Sequence, residues 1–159
     1  MDHLHAYWRM EYIKAPERIK GDHNPFKHLP EQSDEDAFIL ARSEFNYIVL
    51  NRFPYNAGHL MVIPFEEIPN LEDMDSRTRE DHFNQVLQAK KMLENALSPD
   101  GFNIGYNFGS AAGAGIPSHL HCHIVPRWEG DTNFMPIIGD THVLPESLAA
   151  MWKRLREFI

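Results

Sequence analysis

Residues 119–125 read His-Leu-His-Cys-His-Ile-Val, three histidines at alternate positions inside an apolar run. Strict alternation is the pattern of a half-buried strand, in which residues i, i+2 and i+4 share one face about 6.5–7 Å apart. A helix cannot present them this way, because positions two apart do not face each other there. The run therefore predicts a strand with His119, His121 and His123 along one surface and Leu120, Cys122 and Ile124 on the other. Any fold of this chain has to bury the second set while leaving the first something to act on.

The flanking sequence supplies the rest of a sheet. Phe38-Ile39-Leu40 and Tyr47-Ile48-Val49-Leu50 read as two short strands joined by a turn near Ser43 and Glu44. Pro54, Asn56 and Gly58 are turn residues, and they precede a third strand, His59 to Ile63, that Pro64 closes and that has His59 at its mouth. From Asp75 or Ser76 to Leu97, Phe83, Val86, Leu87, Leu93 and Leu97 recur at helical spacing, with a cap at the start and Ser98-Pro99-Asp100-Gly101 as the stop; His82 is expected on the surface of this helix. Phe102 to Phe108 reads as a fourth strand and runs into seven residues, 109–115, without one bulky side chain. Such a loop lets a ligand approach the backbone closely. The histidine strand is the fifth, and Glu146 to Ile159, with Leu148, Met151, Trp152, Leu155 and Phe158, reads as a second amphipathic helix. The expected architecture is an α+β domain with an about five-stranded, mainly antiparallel sheet, one long central helix and a C-terminal helix. Residues 1–36, polar and punctuated by proline with Trp8, Met10, Tyr12 and Ile13 as the early apolar cluster, are expected to form an arm packed on a body formed by 37–159.

Composition narrows the partners. At 159 residues the chain is one ordinary domain that needs neither disulfide nor metal to fold. With 15 Lys+Arg against 23 Asp+Glu it carries no basic footprint for DNA or RNA, although a pocket can still be locally rich in donors. One cysteine makes no internal disulfide, and no apolar stretch approaches the roughly 20 residues of a membrane span. The expectation is a cytoplasmic, reduced protein with no nucleic-acid or membrane partner.

Three imidazoles on one face suit two chemistries. They could ligate a metal, but no Asp, Glu or Cys in the strand completes a coordination sphere on that side. Alternatively one ring nitrogen attacks phosphorus while its neighbours carry protons and stabilise the equatorial oxygens, and the glycine-rich loop offers backbone N–H groups to the phosphate. A binding module that holds nucleotide with little turnover is a third possibility.

The motif His119-Leu120-His121-Cys122-His123-Ile124-Val125 resembles the His-φ-His-φ-His-φ-φ signature of the histidine triad superfamily, φ being apolar. The resemblance continues through Asn51 to Pro64, Gly101 to Asn107, the loop to Ser118 and Val125 to Phe134, and is strongest to the branch of bacterial diadenosine tetraphosphate phosphorylases, with the fragile-histidine-triad hydrolases as relatives. It implies a nucleotidyl hydrolase or transferase that cleaves dinucleoside polyphosphates without a cofactor, typically as a homodimer. It also implies roles: His121 as the nucleophile, His123 and Asn107 on the phosphates, His119 orienting the triad, His59 as a fourth active-site histidine, Asn51 on the ribose hydroxyls, and Gly113 and Gly115 in the nucleotide-binding loop.

The chain departs from that branch in two places. Where many members carry a Cys-x-x-Cys pair for structural zinc, this sequence has Asn24-Pro25-Phe26-Lys27, so no metal is expected there, with His23 and His28 flanking the place. Where the phosphorylases tend to have Gly-Ser, it has Ala114-Gly115, which leaves water and phosphate both open as acceptors. Trp128 is expected to pack rather than stack on a base, and Arg127 to meet a phosphate or a carboxylate.

Overall fold

The computed structural model describes residues 24–132 and 144–159. Its centre is a five-stranded antiparallel sheet in the order β1-β2-β3-β5-β4. The strands are β1 (Ile39–Arg42), β2 (Asn46–Leu50), β3 (Leu60–Pro64), β4 (Gly101–Tyr106) and β5 (Cys122–Arg127). Two short helices, α1 (Pro25–His28) and α2 (Asp34–Ala37), precede the sheet; α3 (Ser76–Leu97) lies between β3 and β4, and α4 (Leu148–Arg156) follows. The arm expected over 1–36 falls for the most part outside the described residues, and so do Asn133 and Phe134 of the resemblance.

Period-two alternation gives the sheet two different faces. Leu40, Ile48, Leu50, Leu60, Val62, Cys122 and Ile124 point to α3 and α4 and pack with Val86, Ala89, Met92, Leu93, Met151 and Leu155. Each fully buried aliphatic side chain here contributes roughly 1.5–3 kcal/mol. Ile39, Tyr47, Val49, Met61 and Ile63 point the other way, onto Phe26 and Ala37. The Tyr47 hydroxyl donates to the Phe26 carbonyl at 2.7 Å and pins α1 to this second face.

The long helix starts and stops where its caps require. Asp75 accepts from the N–H groups of Arg77 and Thr78, and Ser98, in the left-handed region at φ 47°, ends the helix one residue before Pro99. Its buried stripe matches the expected one only in part: Val86 and Leu93 are buried and Leu97 packs against the core. Phe83 and Leu87 are 61% and 50% exposed, while Thr78, His82 and Gln85 are buried. The inward face carries Thr78, His82, Gln85, Val86, Ala89, Met92 and Leu93, and its N-terminal half consists of hydrogen-bonding residues that a count of apolar side chains passes over. His82 is a core residue because both ring nitrogens are partnered: Nδ1–H donates to Asn46 Oδ1 at 2.8 Å and Nε2 meets the Tyr106 hydroxyl at 3.1 Å. Burial pushes its pKa down to about 4.

Strand limits shift by one to three residues from the expected ones, most at β5, which begins at Cys122. Phe38 adopts a left-handed conformation (φ 57°) as the cap of α2, so β1 begins at Ile39. Gly58 also requires positive φ (74°), and a Cβ there would lie 2.6 Å from Leu97 Cδ1, so the turn that delivers His59 to β3 admits only glycine without movement of the helix end. The C-terminal helix stops at Arg156, leaving Phe158 exposed outside it.

Candidate active site

The histidine run is a strand only in its second half. The ladder of β5 begins at Cys122, paired with Val62 on one side and Tyr106 on the other. Before it the chain turns, His119 N–H donating to the Ile116 carbonyl and Leu120 N–H to Ile68. His121 and His123 therefore line a pocket on the sheet face opposite α3, and His119 does not. The expectation of three imidazoles along one open surface is corrected to two, because the turn at 116–119 carries the first ring behind Phe26. Phe26 meets the His119 ring edge-on at 5.7 Å and the His121 ring at 5.0 Å. The third ring beside the pocket pair is His59, 5.1 Å from His123, which in turn lies 4.9 Å from His121.

Backbone donors and acceptors fix which nitrogen of each ring carries the proton. His121 Nδ1 lies 2.9 Å from the His119 carbonyl, which can only accept, so the proton sits on Nδ1 and the Nε2 lone pair is left for chemistry. Burial holds the His121 pKa below its usual range, against the pull of that carbonyl. Tyr55 N–H donates to His59 Nδ1 at 3.0 Å, so His59 carries its proton on Nε2, 2.9 Å from His123 Nδ1. His59 is kept neutral by burial first and by the neighbouring His123 and His121 second. His123 Nδ1 is thus an acceptor, and its proton belongs on Nε2. The result is a buried imidazole whose Nε2 lone pair is left at the pocket beside a second whose protonated Nε2 is buried, an arrangement suited to attack on an electrophile whose oxygens need hydrogen bonds.

The pocket around them is largely apolar. Phe26, Leu29, Val49, Met61 and Ile116 form its walls, with Asn51, Arg52 and Tyr55 on one side and Gly113 and Gly115 on another. Asn51 is tied into its own turn, Oδ1 accepting from Phe53 N–H at 2.9 Å and the amide lying 3.3 Å from His59 Nδ1. In the glycine-rich loop, the N–H groups of Ala112, Gly113 and Ala114 are used inside a tight turn, on Gly109 and Ser110 carbonyls. The backbone cradle narrows accordingly: Gly113 and Gly115 line the pocket, and the Gly113 N–H is already used inside the turn. Asn107 lies one residue past β4 and is not among the pocket-lining residues; extending the β4–β5 register sets its backbone opposite His121.

Metal ligation by the histidine set does not fit this geometry, because His119 is engaged at both nitrogens by Asn24 and Pro64 and His59 at both by Tyr55 and His123, which leaves too few ring nitrogens facing the pocket to form a coordination sphere. Among the described residues no group of three or more His, Cys, Asp or Glu is placed to hold an ion. Cys122 faces α3, and burial pushes its thiol up to about 11, far from a nucleophile. Arg127 meets a carboxylate: two bonds of 2.7 Å to Asp131, which also takes Asn56 and Trp128 N–H.

Sequence reasoning passed over Tyr55, Asn24 and Phe26. Tyr55 places its ring 4.5 Å from His59 and 5.5 Å from His123, and its backbone sets the His59 tautomer. Asn24 had a signal, since Asn followed by Pro is a helix start, and Asn24 does cap α1 through Phe26 N–H.

A family model described as HIT domain matches residues 32–130. The AP-4-A phosphorylase of Mycobacterium tuberculosis is 40% identical over 158 residues, covering 92% of this chain and 80% of that protein. The asymmetrical bis(5'-nucleosyl)-tetraphosphatase of Schizosaccharomyces pombe is 32% identical over 93 residues, 58% of this chain and 50% of its own length. Among solved structures, a hypothetical histidine triad nucleotide-binding protein from Sulfolobus tokodaii superposes with a TM-score of 0.68 at 25% identity, over 84% of this chain and 90% of that one.

Proposed function

This chain belongs to the HIT domain family, and from that membership and the geometry of the pocket we propose that it cleaves dinucleoside polyphosphates through a nucleotidyl-histidine intermediate on His121. It is a HIT-type nucleotide hydrolase or phosphorylase. The observation that carries the mechanism is the His121 tautomer: Nδ1–H held by the His119 carbonyl, Nε2 open to the pocket. With diadenosine tetraphosphate, Nε2 attacks an α-phosphorus, the P–N bond forms as the P–O bond to the departing ATP breaks, and AMP stays on His121. In the second step water or inorganic phosphate takes the nucleotidyl group in line, giving AMP or ADP and restoring the imidazole. His123 Nε2–H and the Gly115 N–H donate to the phosphate oxygens, His59 fixes the His123 tautomer, and His119 orients His121. The apolar walls hold a base, Asn51 the ribose and Asn107 the phosphates. No cofactor is required. Residues 37–159 form the catalytic domain with 1–36 as its arm, working in the cytoplasm on a small nucleotide rather than on nucleic acid. Among the described residues no helix is long and apolar enough to cross a membrane.

Incubation with diadenosine tetraphosphate, with and without phosphate, tests this reading. ATP and AMP in both conditions identify water as the acceptor; ATP and ADP with phosphate identify phosphorolysis. No cleavage, or cleavage that a chelator abolishes, would remove the proposal.

The sheet edges support a homodimer. The β1 edge is covered, because Trp152 Nε1–H donates to the Ile39 carbonyl at 2.9 Å and Arg156 to Leu40 at 2.7 Å. The β4 edge is flanked by exposed apolar residues. His82 reaches Tyr106 and Lys90 lies over Phe102, so Phe83 and Leu87, between them on α3, sit beside Ile104, between them on β4. A second copy laid against β4 covers this patch and pairs the open strand. Replacing Ile104 and Leu87 together by aspartate should halve the mass seen by sedimentation while leaving the far-UV spectrum unchanged; an unchanged mass would place the interface elsewhere.

A further inference from the structure

The place where the resemblance puts a zinc-binding Cys-x-x-Cys pair holds Asn24 and Lys27, and neither fits a metal. Asn24 directs its amide to His119 Nδ1 at 2.8 Å, while Oδ1 accepts from Phe26 N–H at 3.1 Å. His119 Nε2–H donates to the Pro64 carbonyl at 2.8 Å, so both nitrogens of this buried ring are engaged. Lys27 is a cation paired with Glu67 at 3.4 Å, and Glu67 accepts from the Ser118 hydroxyl at 2.7 Å. Hydrogen bonds from Ser118 and then Asn24 hold the Glu67 carboxyl below its usual range. His28, the described flanking histidine, is turned outward to Glu31.

We infer that Asn24 is a positioning residue for His121: its amide, beside the Glu67 carboxylate that Lys27 and Ser118 hold, fixes the His119 imidazole, whose carbonyl in turn fixes the attacking tautomer of His121, so the nucleophile is assembled by side chains at the place where the resemblance puts a zinc-binding pair. Every link is a contact given above. The amide accepts no proton from His119, so His119 must put its own on Nε2 toward Pro64. That bond anchors the turn at 116–119 to the end of β3. Because the same carbonyl that His121 needs belongs to His119, a loosened His119 ring moves the acceptor as well. Asn24 also caps α1, which presents Phe26 to both rings, so one side chain orients the nucleophile from the backbone and from the ring face.

The effect on rate rests on the nucleotidyl-histidine reading, and the effect on the rings rests on geometry alone, so two readouts separate them. With 15N-histidine-labelled protein, proton–nitrogen spectra at neutral pH should show His119 protonated on Nε2 and His121 on Nδ1. Asn24→Ser keeps a capping oxygen and deletes the amide donor; His119 and His121 should each become mixtures of tautomers, and kcat should fall about tenfold, with KM within about twofold, as for other residues that hold a catalytic histidine at one remove. Asn24→Asp, nearly isosteric, keeps the cap and turns the donor into an acceptor, so His119 should take a second proton and appear as imidazolium at pH 7; this variant gives the answer if the serine variant fails to fold. Unaltered tautomers in both variants would overturn the inference, as would one equivalent of zinc in protein purified from zinc-supplemented medium. Shifted tautomers in a protein that does not cleave diadenosine tetraphosphate would uphold the positioning role and remove the reaction.

Discussion

His121→Ala is expected to lower turnover of diadenosine tetraphosphate by at least about 10⁴-fold and to leave nucleotide affinity within a few fold, because the deleted nitrogen makes the bond that the reaction passes through, whereas binding rests on the apolar walls and the glycine loop. The geometry explains why no neighbour can take over. His123 Nδ1 accepts from His59, so its Nε2 carries the proton and is a donor, and His119 has both nitrogens engaged behind Phe26. Among the described histidines, only His121 combines a position in the pocket with an Nε2 lone pair left for chemistry. The measurement is single-turnover product analysis beside calorimetric titration with a non-cleavable nucleotide. Turnover within tenfold of the parent would take His121 out of the mechanism, and a parallel loss of binding would show that the ring holds the substrate rather than attacks it.

The fold and the identity of the pocket residues were legible in the sequence to different depths. Helix α3 was readable to the residue, because Asp75 and the Ser98-Pro99 pair are local signals, and the hairpins were readable because each is closed by a turn of its own. The buried face of α3 was readable only in part: Val86 and Leu93 lie inside as the pattern predicts, while Phe83 and Leu87 do not. His82 goes inside only because Asn46, 36 residues away, supplies an acceptor, and no local pattern encodes that partner. The same limit applies at the site. Alternation correctly put Cys122 and Ile124 on the helix side and His121 and His123 on the other, since neighbouring strands continue the ladder there. It misplaced His119, because where a ladder starts depends on long-range pairing: β4 ends opposite Cys122, and β3 continues to Pro64 without pairing there because Leu120 N–H turns instead to the Ile68 carbonyl. Asn24 acts through a contact to a histidine 95 positions on, which only the topology brings about, whereas Tyr55 sets the His59 tautomer from within the same turn, four positions away, where no side-chain pattern marks a backbone N–H as a donor.

Acidification from pH 6.5 toward about 4 is expected to destabilise the protein steeply, and the cause is the same burial that keeps the nucleophile neutral. His59, His82, His119 and His121 all have their pKa values lowered in the folded chain, chiefly by desolvation. An unfolded imidazole binds its proton near pH 6.5. Above that value both states are neutral and these rings confer no pH dependence; below it the unfolded chain holds more protons than the native one, so stability falls as pH falls. For His82, the drop from 6.5 to about 4 amounts to about 3 kcal/mol at 1.36 kcal/mol per pH unit. Four such rings set an upper slope of about 5 kcal/mol per pH unit, comparable with the whole stability of an ordinary domain. The carboxylates held below their usual range, Asp131, Asp75 and Glu67, release their contribution at lower pH, so the histidines have this window largely to themselves. Urea titrations at half-unit steps from pH 7.5 to 5 should show a flat region and then a steep fall; constant stability through pH 5 would mean that the rings are not neutral and buried. His82→Gln separates the two consequences of burial. It lies outside the pocket, so it should reduce the proton uptake on unfolding by one while leaving the pH dependence of cleavage where His121 sets it.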